Sequence, residues 1–330
     1  MQQPLLSKAI FLFAVIFGAT SFSTAQTSPS FSHPHATLLA DGGQGIVMKF
    51  DFADPAFMEI VTPDGDAIIP TVGDDTPLLV KGAPSLTKSA VAIMIDGQSN
   101  TAVGYDALGA ETGGDQNTAI GADAMYTNTT GEYCTAVGFM ALYNNNADSI
   151  TGVGYQALLS NTTGIENTAA GFAALEANTT GQHNTAVGHQ ALKANTTAQY
   201  NTAVGRNALK TNVTGQYNTA IGMDALEANT ASYNTACGLR ALEANTSGSY
   251  NTAVGYNCLD VCTTGHNNTA VGRDALGALT TGTKNAVLST GGQAVTTGDN
   301  NVLLGYNTGS SLSPSGNITT GSNNICLGND

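Results

Sequence analysis

The side chains able to do chemistry are few in this chain, and their spacing converges on no single point. His33 and His35 lie in a Pro/Ser-rich stretch, while His183, His189 and His266 sit where neighbouring segments of similar sequence carry other residues. A metal ion needs three or four converging ligands, and here only His183 and His189 could approach, across adjacent turns of a stacked chain. Five cysteines leave at least one unpaired if any disulfide forms. Cys258 and Cys262 are close in sequence, with a strand-to-turn geometry poorly suited to a bridge; an exported protein allows a disulfide, and small buried thiols fit at least as well. Thiol catalysis would need a histidine partner that the spacing does not supply. No GxSxG elbow, phosphate-binding loop, HExxH helix or isolated carboxylate pair occurs. Glu176, Glu227 and Glu243 each follow an Ala-Leu pair, the pattern of a solvated face. These residue types point to no catalytic residue, no metal and no cofactor.

What the fold must position instead is an array of small and hydroxylated residues. The 330-residue chain is 42% apolar but only 10% charged, against about 25% in an ordinary soluble domain. A formal charge of -14 leaves no basic patch to displace counterions from nucleic acid or to hold an anionic membrane. Residues 1–25 read as a secretory signal: Lys8 supplies the charge, Ala9 to Ala19 the short apolar stretch, and Ser23 and Ala25 the small residues before a cut at Gln26. The apolar run is short for a membrane span. The expected product is secreted or held at the cell surface, with no membrane insertion after signal removal.

From Asn100 the sequence repeats itself. Copies begin at Asn100, Asn117, Cys134, Ile150, Asn167, Asn184, Asn201, Asn218, Asn234, Asn251 and Asn268, 17 residues apart except after Cys134 and Asn218, where the step is 16. The best read NTAVGHQALKANTTAQY (Asn184 to Tyr200) and NTAVGRNALKTNVTGQY (Asn201 to Tyr217), with looser copies from Asn285, Asn301 and Asn324. The period is too short for a helix pair, and Gly and Asn recur too often to sustain helices. The unit reads as two short extended pieces, TAVG and Ala-Leu, joined by turn-prone Gly and Asn-Thr-Thr-Gly. The fold class is therefore all-β: a parallel β-solenoid of about 17-residue repeats, its coils stacked at about 4.8 Å, preceded by a small β domain. The boundaries are 1–25 for the signal, 26–97 for a small β domain or N-terminal cap with its flexible lead, 98–284 for regular repeats and 285–330 for degenerate ones.

Strand alternation puts Ala203 and Gly205 on one face and Thr202 and Val204 on the other, and splits Ala208 from Leu209. The small set suits a thin interior. The aliphatic set then needs a second apolar environment, since a stripe exposed along eleven coils is what monomers avoid. The expected oligomer interface is Val187, Leu192, Val204, Leu209, Ile221, Leu226, Val254 and Leu259, packed about the axis of a homotrimer. Two further columns are candidate binding residues. Thr185, Thr202, Thr219, Thr235 and Thr252 stack hydroxyls and methyls in one row, and Tyr200, Tyr217, Tyr233 and Tyr250 close their repeats as an aromatic stripe that could meet sugars. Sequons such as Asn128-Thr129-Thr130 and Asn195-Thr196-Thr197 would carry glycans only in a eukaryotic secretory path.

The units NTAVGHQAL and NTAIGMDAL (Asn218 to Leu226) resemble the head repeats of YadA-like trimeric autotransporter adhesins, and the NTTG segments resemble repeats of phage tail fibres and bacterial surface proteins. The resemblance covers residues 100 to about 284. It implies left-handed β-rolls, trimers and displayed binding surfaces. The unit here is longer than the usual adhesin repeat and no stalk or anchor follows, so the resemblance implies either a fragment or a trimer formed by another route. Thr76 to Ile95, with Gly82-Ala83-Pro84-Ser85-Leu86, resembles the propeptide region of gingipain-type peptidases, and no peptidase domain follows.

The resulting expectation is a non-enzymatic surface or structural protein, an adhesin-like rod whose partners are copies of itself and a surface glycan or a host or abiotic surface. The alternatives are a lattice binder (ice or polysaccharide) acting through the Thr row and, third, a secreted polysaccharide-active enzyme.

Overall fold

The structure, a computed structural model, describes residues 99–309 and 318–328 together with five strands before them. The signal segment, the Pro/Ser-rich lead up to Pro34 and the Gly82–Leu86 motif lie outside the described residues. The chain divides into two compact units, Met1–Tyr105 and Asp106–Asp330.

In the first unit, β1 (His35–Leu39), β2 (Gly45–Phe50), β3 (Met58–Val61) and β4 (Ala67–Ile69) form an antiparallel sheet in sequence order. Each strand pairs with the next, as hairpins dictate, and the register shifts at Ile60/Val61. A further pair, β5 (Ile93–Ile95) and β6 (Thr101–Val103), is also antiparallel.

The second unit is the solenoid, with one three-residue strand per coil from β7 (Thr118–Ile120) to β19 (Ile325–Leu327). All pair in parallel and in register, so Thr202 stacks on Thr185 and Thr219, and Ala203 on Ala186 and Ala220. Like residues therefore form columns parallel to the solenoid axis, and the coil Asn201–Tyr217 serves to name them.

The strand ends at Gly205, whose φ of 133° is open to glycine alone. A Cβ there would lie 2.4 Å from the carbonyl oxygen of Gly222 in the next coil. The expected second extended piece is instead a run of turns. Ala208 N–H donates to Gly205 O (3.4 Å), Lys210 to Asn207 (3.2 Å) and Asn212 to Leu209 (3.1 Å). Asn207 and Leu209 take left-handed φ values of 57° and 52°. Such conformations cost roughly 1–3 kcal/mol each. The cost is offset between coils, where Leu209 N–H reaches Ala225 O at 3.0 Å and Asn207 N–H reaches His189 O at 2.9 Å.

This turn corrects the assignment of Leu192, Leu209, Leu226 and Leu259 to an oligomer interface. All four are 0% exposed in the single chain. A strand would send Ala208 and Leu209 to opposite faces; the left-handed residue turns both inward. Large side chains do fit the thin interior, because each leucine faces the small residue of a strand. Where Gly152 takes the Ala203 place, Leu142 Cγ stands 3.0 Å from its would-be Cβ.

The remaining interior positions are amides. Asn201 and Asn212 are 0% exposed, and both Nδ2 groups donate to the Gly215 carbonyl, at 2.9 and 2.8 Å. Asn201 Oδ1 accepts the backbone N–H of Asn218 in the next coil (2.9 Å), as Asn184 Oδ1 accepts that of Asn201 (3.0 Å). In the Asn212 column the amides bond one another: Asn178 Nδ2 to Asn161 Oδ1 and Asn195 Nδ2 to Asn178 Oδ1, both at 2.8 Å. That column begins with Glu111, whose carboxylate accepts Asn128 Nδ2 at 2.6 Å. It stops where Cys262 takes the asparagine place, leaving Asn245 Oδ1 buried without a partner.

Two outcomes follow for stability. Gly205→Ala should cost more than about 2 kcal/mol in denaturant unfolding, from left-handed strain plus a clash with backbone. Asn195→Leu removes the donor to Asn178 Oδ1 and Ala198 O and also the acceptor of Asn212 Nδ2, at about 1–3 kcal/mol for each buried group left unpaired. Asn245→Leu removes the same two donations, to Asn229 Oδ1 and Gly248 O, but strips no donor of its acceptor, because its oxygen is already unpaired. The Tm should therefore fall for both variants, and further for Asn195→Leu.

Candidate functional site

With the interior filled by Ala, Leu and Asn, every other side chain of a coil forms an outward column. At the centre is the outer face of the strands. Thr235 is exposed and Thr185, Thr202, Thr219 and Thr252 are half-buried, all stacked in register. Two residues on, the aliphatic column stands in the open: Val187 is 39% exposed, Ile221 43% and Val254 37%, with Val204 half-buried between them. From Ile120 to Leu304 this column holds only Val, Ile, Leu, Ala and one Cys. The expected interface residues thus divide cleanly, with the valines and Ile221 outside and the leucines inside.

Beyond the aliphatic column, past Gly205, runs a second aromatic ladder that the sequence reading missed. Phe139, Tyr155, Phe172 and His189 stack at centroid distances of 5.5, 5.1 and 5.0 Å. Its signal was available: one residue after each repeat glycine, four consecutive copies carry an aromatic or imidazole ring. The position looked variable because later copies place Arg206, Met223 and Leu239 there.

On the Thr side lies the Tyr217 column. His183, Tyr200, Tyr217, Tyr233 and Tyr250 stack with centroids 4.8, 5.0, 5.1 and 4.9 Å apart and ring planes within 12° of parallel. The four tyrosines are 45% to 58% exposed. Their ring faces cover one another, so what they present outward is a row of ring edges and phenol hydroxyls.

The titratable groups take ordinary roles. His183 pairs with Glu166 (2.9 Å) in the tyrosine column, while His189 belongs to the other ladder. The carboxylates read as a solvated face are ion-paired there: Glu176 with Lys193 (3.1 Å), Glu227 with Lys210 (3.5 Å) and Glu243 with Arg240. Such exposed pairs contribute about 0–1 kcal/mol. Among the described residues no group of three or more His, Cys, Asp or Glu could hold a metal. The sequons at Asn128 and Asn195 are corrected by burial: both asparagines are 0% exposed in the Asn212 column and cannot carry a glycan in the folded coil. Asn267, ahead of Asn268-Thr269, is the exposed sequon among the described residues.

All five cysteines are free. Cys134, Cys258 and Cys262 replace interior Asn, Ala and Asn, respectively. The Cys134 thiol donates to Ala147 O at 3.1 Å and the Cys258 thiol to Ala270 O at 3.2 Å. Burial pushes the Cys134 thiol up to about 11, Cys258 to about 12 and Cys262 to about 11.

Compared with known protein families, curated proteins and solved structures, the chain matches none.

A raised thiol pKa keeps the nucleophilic thiolate scarce until the pH nears that value. Iodoacetamide at pH 8 should therefore alkylate Cys134, Cys258 and Cys262 only after denaturation, as read by peptide mass spectrometry.

Proposed function

We propose that the chain is a non-enzymatic exported repeat protein whose solenoid packs side by side with copies of itself, as a homotrimer, and holds its Thr and Tyr columns toward a surface or glycan. The single observation carrying this reading is the aliphatic column, exposed or half-buried at every coil and unbroken by charge from Ile120 to Leu304. Twelve coils at about 4.8 Å give a stripe roughly 60 Å long. At about 10 Å wide it offers on the order of 600 Å², near the ~800 Å² per partner of a stable interface.

A second copy is the occupant that such a stripe fits best. It has the same spacing, so every residue finds an equivalent environment at every coil. The ladder of Phe139, Tyr155 and Phe172 borders the same side and widens the apolar contact. The Thr and Tyr columns lie at the opposite end of the strand and stay free. There, many weak identical contacts add up to avidity without a tight pocket. Secretion rests on the signal-like first 25 residues, and the adhesin-like role on the repeat resemblance.

The in-register threonines support one other reading, lattice binding by a regular hydroxyl–methyl row. Thermal hysteresis that disappears in Thr202→Tyr/Thr219→Tyr would move that reading ahead.

Light scattering on the purified chain should give three times the chain mass. Val204→Asp/Ile221→Asp places carboxylates in the aliphatic column and touches no interior residue. It should give a single-chain mass with an unchanged circular dichroism spectrum. A parent protein of single-chain mass would overturn the self-association.

A further inference from the structure

The tyrosine column narrows what the free face would hold. Glycan display under the proposed function leaves the sugar chain unspecified, and the inference made here rests on that display while naming the chain. Tyr200, Tyr217, Tyr233 and Tyr250 put one phenol per coil at ring spacings of 5.0, 5.1 and 4.9 Å. An extended β-1,4-linked chain of pyranose sugars advances by about the same distance per sugar unit. We infer that this row is a rail for a single linear, neutral β-1,4-linked polysaccharide running parallel to the solenoid axis, one sugar to each coil.

The composition of the row fits an uncharged polyhydroxy ligand. The residue before each tyrosine is Gln199, Gln216, Ser232 or Ser249, all half-buried, and no Asp, Glu, Lys or Arg occurs from Thr196 to Asn201 or in the matching stretches of the next three coils. Along this column charge returns only beyond the tyrosines, with Glu166 at one end and Lys284 at the other.

Ring stacking fixes the mode of contact. Because the faces are spent on one another, a sugar cannot lie flat on an inner ring. It meets the electropositive ring edges and the phenol hydroxyls, each of which can donate and accept. The stack also holds the phenols in place before binding, so little side-chain freedom is lost on contact. An α-1,4 chain coils and an α-1,6 chain is slack; neither holds sugars on a straight line at the coil spacing.

The test is adsorption of the purified chain to crystalline cellulose and to chitin, with starch and cross-linked dextran as controls. Tyr200→Phe/Tyr217→Phe/Tyr233→Phe/Tyr250→Phe keeps the stack and removes the hydroxyls, and Tyr155→Phe makes the same change in the other ladder. The parent protein should adsorb to at least one β-1,4 polymer and to neither control. The quadruple variant should bind at least tenfold more weakly, while Tyr155→Phe binds as the parent does. No adsorption to either polymer, equal adsorption to the controls, or an unaffected quadruple variant overturns the rail. Light scattering on the same samples keeps the two readings apart: a trimer that ignores cellulose and chitin sinks the rail alone, and a monomer that adsorbs through its tyrosines sinks the trimer alone.

Discussion

Each coil is closed by one carbonyl oxygen that accepts one or two buried amides. In the coil from Asn201, the Gly215 oxygen takes the Nδ2 groups of both Asn201 and Asn212. One residue stands at the start of the coil and the other just before its last turn, so the pair ties the ends of a 17-residue loop together. The interior is too thin for aliphatic packing alone to do this. An unpaired carbonyl there would cost about 1–3 kcal/mol, and the coil would have no reason to close at that residue rather than its neighbour. The in-register columns, and therefore every surface described above, depend on that closure being repeated.

The tie is duplicated, and the duplication explains where the repeat drifts. Cys134 and Ile150 break the Asn201 column, and in those coils Asn145 and Asn161 still donate to Ala147 O (2.8 Å) and Gly164 O (3.0 Å). At the other end Cys262, Leu279 and Val295 replace the second asparagine, while Asn251, Asn268 and Asn285 still reach Gly265, Gly282 and Gly298 at 2.8 to 2.9 Å. One amide per coil closes the loop. The second can be exchanged for an aliphatic residue once the preceding amide's oxygen, Asn245 Oδ1, is left unpaired.

The period, the parallel stacking and the Thr-Ala-Val strand were legible in the sequence because self-similarity and strand alternation are local patterns. What alternation could not show was the fate of Leu209, since the rule holds only while the chain stays extended. The left-handed turn at Asn207 and Leu209 suspends it, and Ala-Leu carries no glycine to announce that turn. The buried asparagines were equally opaque. Asn-Thr-Thr-Gly reads as a solvated turn or a glycan acceptor, and only stacking supplies the partners that let Asn195 or Asn212 be buried. The aliphatic stripe was half legible: alternation placed Val204 correctly on the outer face of its strand.

Because closure uses interior positions alone, the outward columns are free to change along the axis. The ladder beside the aliphatic stripe is aromatic from Phe139 to Phe172 and turns to His189, Arg206 and Met223. The column beside the threonines changes later, from tyrosine through Tyr250 to Asn267 and Lys284. The coils from Phe139 to Phe172 are thus best suited to apolar packing and those from Tyr200 to Tyr250 to polar contact. Stacking makes such segments additive, because a ring gains a partner only when its neighbours in adjacent coils are also rings. A surface of this kind is specified by the length and order of its columns, and a partner is selected by whether its own repeat keeps step with the coil.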